Sequence, residues 1–197
     1  MTMFNGMRRT GRRRYIENYE FSPALHRKLR DELGGTREAD VALEGLRAWY
    51  LACLFADCGL IGMPSKAVDE AWHEMILMTR DYTEFCERAF GRYLHHTPDS
   101  LMAEPMRDGL ARTLATLDAR TVMAGGAVPL LFAVDDEIGL EGGYSWGEQD
   151  VAELRAAQPY HHYASHGGGH GGDAGFAVGD GGGGGCGGGG GGCGGGG

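Results

Sequence analysis

A polyglycine end sets the first limit on what this chain can fold into. The sequence holds 37 glycines in 197 residues, most of them after His166. Glycine has no side chain to bury, and ordering its backbone costs more entropy than ordering any other residue. Residues 158–197 are therefore expected to form a disordered tail, with His161, His162, His166, His170, Cys186 and Cys193 set among the glycines as candidate metal ligands. Any packed core has to come from the preceding residues. Residues 15–157 have ordinary composition and are long enough for one domain. Residues 1–14 read as a disordered basic arm, in which Arg8, Arg9, Arg12, Arg13 and Arg14 cluster without apolar periodicity.

Within residues 15–157 the periodicity is mainly helical, which predicts an all-α fold, a compact orthogonal bundle of about six helices. Ser22-Pro23 supplies an N-cap with Pro at N1, and Gly34-Gly35 ends that helix. Thr36 opens a long helix to about Cys58, with Ala42, Leu46, Trp49, Tyr50, Cys53 and Leu54 on its apolar face. After Pro98, Asp99 or Ser100 can cap a helix whose buried stripe is Leu110, Leu114 and Leu117. Ser145 with Glu148 makes a capping-box pattern for a last helix, Trp146 to about Ala157. Between them, Val128 to Val134 reads as a short strand or buried extended segment with no partner to make a sheet. Asp135, Asp136 and Glu137 then read as a solvated turn, or as an extra carboxylate for a site.

The densest stretch is Ser65 to Pro98. Ser65 can cap a helix from Lys66 to about Met78, with Val68, Trp72, Met75 and Ile76 on its apolar side. Asp69 lies in the first turn and His73 one turn above it on the same flank. A second helix is expected from Asp81, boxed by Glu84, with Tyr82, Phe85, Cys86, Ala89 and Phe90 inward and Gly91 as its stop. A helical hairpin of this kind brings His95 and His96 back towards Asp69 and His73. Adjacent residues of an extended segment point apart, so one of the two faces inward. Asp69, His73 and His96, with His95 as alternate, form a set that suits a divalent transition metal such as zinc. Trp72 joins them as a ligand-binding candidate. The same residues also suit a purely structural role, with Asp69 and His73 as a hydrogen-bonded pair and a later histidine capping carbonyls. His73-Glu74 is followed by Leu77 and not a second histidine, so the HExxH protease pattern fails. Cys86 sits on the apolar face and reads as core.

These residues resemble the central motif of the glycine-rich domain-containing protein-like family of bacteria and plants. The Val-Asp-x-x-Trp-His element is matched by Val68, Asp69, Trp72 and His73. Tyr82, Cys86 and His96 match the Tyr-x-x-x-Cys element and the later histidine. The resemblance runs over residues 68–98, with a weaker echo around Pro129 to Asp136. It implies kinship without a particular reaction. Plant members pair this region with RNA-binding or glycine-rich segments and are associated with stress and development. No RNA-binding module is visible in this sequence.

Charge and cysteine usage narrow the classes further. The net charge of −9 divides into +6 over residues 1–30 and −15 over the rest, a poor distribution for general nucleic-acid binding. The basic arm and the tail are the segments expected to reach a protein partner. Five cysteines with no CxxC pair read as free thiols in a reducing compartment, so a cytoplasmic protein is expected. The N-terminus lacks the apolar run of a signal peptide, and Ala127 to Val134 is too short to span a bilayer. Three functions fit: a binding or interaction module with a ligand or metal site and a flexible tail; a metal-dependent enzyme using Asp69, His73 and His96; and a precursor of a Gly/Cys-rich modified peptide. No nucleophile or general base stands out, so the sequence leans away from an enzyme. A folded body of this size argues against a peptide precursor, whose leader is usually short.

Overall fold

Residues 2–56, 61–96, 106–119 and 128–157 are described in the computed structural model, residues 2–7 by backbone alone. The tail with its histidines and cysteines lies outside them, as do Cys58 and Gly59, the Pro98–Ser100 cap region and the Gly125-Gly126 break. Among the described residues there are eight helices and no strand: α1 Thr2–Glu17, α2 Pro23–Leu33, α3 Thr36–Phe55, α4 Lys66–Leu77, α5 Thr79–Phe90, α6 Met106–Asp118, α7 Leu130–Ile138 and α8 Glu148–Ala156. The fold is all-α.

The long helix α3 is the hub, packed against α1, α2, α4, α6 and α7. Its residues Ala42, Leu46, Trp49, Tyr50 and Cys53 are fully buried, as the spacing requires. Trp49 meets Trp72 of α4 at 5.7 Å between ring centroids, and Tyr50 meets Phe85 of α5 at 4.6 Å. Tyr15 and Tyr19 close over Phe85 from the other side. Aromatic pairs at these separations favour tilted geometry, which is what most of them adopt. Ser22 and Ser65 cap α2 and α4 as their sequences require, accepting from Leu25 N and Val68 N at 3.1 Å.

Several expectations are corrected. The basic arm is helical: α1 begins at Thr2, and its Arg9 guanidinium lies 5.5 Å from the Phe55 ring centroid. Arginine is a good helix former, and contact over an aromatic ring seats a charged side chain without an apolar stripe. Val128 to Val134 is not extended. From Leu130 it enters α7, with Pro129 as N-cap and left-handed Gly139 as stop, burying Leu131, Phe132 and Val134. These two elements raise the helix number above the expected six. The helix after Met78 starts at Thr79 without a side-chain cap, so Asp81 and Glu84 do not box it. Likewise Gly147, not Ser145, caps α8, its N–H donating to Asp150 at 2.8 Å. Ser145 instead donates to Asp136, and the Trp146 indole donates to the Pro64 carbonyl.

Asp135 is the largest departure. It is 2% exposed, and both carboxylate oxygens are in use. One accepts from the Ser65 hydroxyl at 2.6 Å and Ala67 N at 3.0 Å; the other from Lys66 N at 2.9 Å and Tyr144 N at 2.8 Å. The first backbone N–H groups of α4 have no partner inside the helix, and its dipole favours negative charge there. Asp135 supplies both from a helix seventy residues away. It is neither a solvated turn nor part of the Asp69 site.

Candidate metal centre

With its N-terminus held by Ser65 and Asp135, α4 has a fixed register. Val68, Trp72 and Met75 point into the core, which leaves Asp69 and His73 on a partly exposed flank. No loop separates α4 from α5; Met78 is the single joint. The return path is therefore not made by α5 alone. Gly91, in the left-handed conformation at φ +73°, turns the chain, and residues 92–96 run back past Tyr82 towards α4. Along that segment burial alternates as in a strand: Leu94 is fully buried and His96 half-buried, whereas Tyr93 and His95 face out. His95 lies against Tyr93 at 4.8 Å between ring centroids, so the inward histidine is His96.

Asp69, His73 and His96 come together. His96 Nε2 is 3.1 Å from Asp69 Oδ1, His73 Nδ1 is 3.7 Å from Asp69 Oδ2, and the two imidazole centroids are 4.2 Å apart. One ligand atom from each residue lies within 4.8 Å of the others. Ligands about 2.1 Å from a tetrahedral zinc stand roughly 3.4 Å apart, so this set needs only small side-chain rotations to close on an ion. The side chains are 34%, 42% and 19% exposed, open on the His73 side and walled by Trp72, whose ring lies 4.8 Å from that of His96. A carboxylate flanked by two imidazoles is a donor set for a divalent transition metal; without one, it is a hydrogen-bonded pair with a third ring stacked on it.

Behind the site, buried polar contacts hold the wall in place. The Trp72 indole N–H donates to the Tyr82 hydroxyl at 2.9 Å, and that hydroxyl donates to the Leu94 carbonyl at 2.6 Å. Burial pushes the Cys86 thiol up from its ordinary value, and the Leu94 backbone N–H that bonds to it pulls it partly back. Cys86 is thus a core residue beside the return segment and not a member of the ligand set.

A second group went unread in the sequence. Glu32 of α2 meets Glu70 and Glu74 of α4, also with ligand atoms within 4.8 Å. Only the Glu70, Glu74 spacing was visible in one dimension. Lys28 bonds to Glu32 and lies 3.6 Å from Glu74, so one lysine partly offsets three acids in a mostly exposed network.

No curated protein and no solved structure matched the chain. A family model described as UCP032817-like matches residues 11–167, which takes in every helix from α2 to α8, the C-terminal part of α1 and all three residues of the Asp69 cluster. The chain belongs to the UCP032817-like family.

Proposed function

We propose that this protein is a helical binding module that holds a divalent transition metal of the zinc class on Asp69, His73 and His96. The observation that carries this reading is the convergence of two imidazoles and a carboxylate from α4 and the return segment. Neutral imidazole nitrogens and a carboxylate are ordinary zinc donors. The half-open His73 side supports a second reading, a metal-dependent reaction, since three protein ligands leave a coordination position for water or substrate.

We also propose kinship with the glycine-rich domain-containing protein-like family. In support, its signature residues are neighbours in space: Trp72 bonds to Tyr82, Tyr82 and Cys86 meet Leu94, and Asp69, Trp72 and His73 surround His96. Cys53 and Cys86 are free and buried, which supports a reducing, cytoplasmic setting. The arginines of α1, exposed at Arg8 and Arg13, and the glycine-rich tail are the segments proposed to meet a protein partner.

Elemental analysis and zinc titration of the untagged chain, with and without residues 158–197, test the metal. One zinc is expected per truncated chain, lost on His73→Ala and on His96→Ala with the circular dichroism spectrum kept. Acidification is expected to release it, because protons compete for the imidazole nitrogens. A truncated protein that binds no zinc, and whose His73→Ala form only loses stability, returns the cluster to a structural role.

A further inference from the structure

The His96 side of the metal set is carried by a segment with no regular secondary structure, so something else must fix it. From the two buried hydrogen bonds that meet at Tyr82, we infer that the Tyr82 hydroxyl is a positioning residue for His96, and hence for the metal centre proposed above, on which this inference rests.

The chemistry allows one arrangement. An indole N–H can only donate and a backbone carbonyl can only accept. The Tyr82 hydroxyl, fully buried, must therefore accept from Trp72 and give its one proton to the Leu94 carbonyl, at 2.9 Å and 2.6 Å. The relay has a fixed direction and joins three pieces of chain: α4, α5 and the return segment. Its two ends bracket His96. Leu94 is two residues before it, so the held carbonyl sets the register and face on which His96 emerges. Trp72, held at its indole nitrogen, presents its ring to the His96 imidazole at 4.8 Å. Phenylalanine at position 82 keeps the ring and removes the hydroxyl, leaving the Trp72 N–H and the Leu94 carbonyl to find new partners. Both adjust by moving the wall and the floor of the site together. Partners that orient metal ligands from outside the coordination sphere are worth about 10- to 100-fold in metal affinity, and that is the loss expected here.

The experiment uses the full chain in four forms: wild type, Tyr82→Phe, p-aminophenylalanine placed at position 82, and Leu114→Ala. Leu114 is buried in α6, which packs on α3 and α8, so its substitution destabilises the domain without touching the relay. Zinc affinity by competitive titration is expected to fall about 10- to 100-fold in Tyr82→Phe, to recover largely with the amino analogue, which restores a donor, and to hold in Leu114→Ala. In the metal-free protein, the nuclear Overhauser contact between the Trp72 indole and the His96 ring is expected to weaken in Tyr82→Phe, while the ring signals of His26, which pairs with Asp40 of α3 at 2.8 Å, stay put. Zinc affinity within twofold of wild type in Tyr82→Phe overturns the inference, as does an equal loss in Leu114→Ala or a Tyr82→Phe chain that does not fold. If the wild type binds no zinc, the metal reading fails by itself. The Overhauser contact then decides alone: its loss in Tyr82→Phe upholds the positioning role, and its persistence overturns it.

Discussion

Asp135 shows how much one side chain can hold in this molecule. Each of its oxygens accepts from two donors, and three of the four donors belong to the start of α4. Asp135→Ala strands them all, three backbone N–H groups and a hydroxyl, and is expected to cost roughly 3–5 kcal/mol in urea unfolding, in the range found when one partner of a buried charged network is removed. Asp135→Asn is not expected to rescue it, because its amide would turn a donor towards two donors. A loss below about 1 kcal/mol for the alanine form would show that the cap is not made in solution. The sequence could not disclose this role. A run of three acids after an apolar stretch has the look of a solvated turn, and its true partner begins seventy residues earlier. Asp69 and His73 were legible because helical spacing is local. His96 was legible only as one of two adjacent histidines, and the alternation of burial after Gly91 decides between them.

At the scale of elements, the close approach of α3, α4 and α7 turns on Gly45. A Cβ built there would stand 2.6 Å from Val68 Cγ2 and 2.8 Å from Val134 Cγ2. Both neighbours are β-branched and stiff at χ1, so neither turns aside cheaply. Gly45→Ala gains about 1 kcal/mol of helix propensity and is expected to lose roughly 1–3 kcal/mol to overpacking, for a net destabilisation. Gly11 in α1 is the opposite case, with nothing within 4 Å of its built Cβ. Gly11→Ala is expected to stabilise by up to about 1 kcal/mol. Matched thermal melts read both signs; two shifts in the same direction would break the argument. The helices that periodicity missed are the two whose burial is not a plain apolar stripe. In α1, arginine contacts over aromatic rings stand in for apolar ones; α7 is nine residues long, and short apolar runs do not tell helix from strand. Ser145 and Asp81 failed as caps for a related reason, since a capping motif in sequence marks an available residue and packing chooses the end.

The whole domain buries acidic protons as well as apolar surface, and this gives its stability an alkaline limit. Burial raises Cys53 well above the ordinary thiol value of 9.0 and raises Cys86 in the same direction. Tyr50 and Tyr82 are likewise raised from 10.0 by burial. In the unfolded chain these groups ionise at their ordinary values, whereas burial in the folded protein holds their protons to higher pH. Above about pH 9 the folded state thus holds more protons than the unfolded one, and stability falls as pH rises. Below that point the four groups are protonated in both states, and their contribution is constant. With one unit of differential titration worth 1.36 kcal/mol, Cys53 accounts for a fall of about 1 kcal/mol between pH 9 and 10, and Cys86 adds to it. The tyrosines, Tyr19 at about 12 among them, begin to add to it as pH nears 10 and dominate above it. Urea unfolding in the presence of reductant, followed from pH 7 to 10.5, is expected to show a plateau and then this decline. Replacing both Cys53 and Cys86 with alanine lowers stability everywhere, since two well-packed side chains are cut back. It is nevertheless expected to flatten the pH 9–10 slope and leave the later tyrosine part in place. A slope unchanged by the double substitution would assign the alkaline loss to other groups, and a flat profile to pH 10 would mean that the core does not exclude solvent from these thiols.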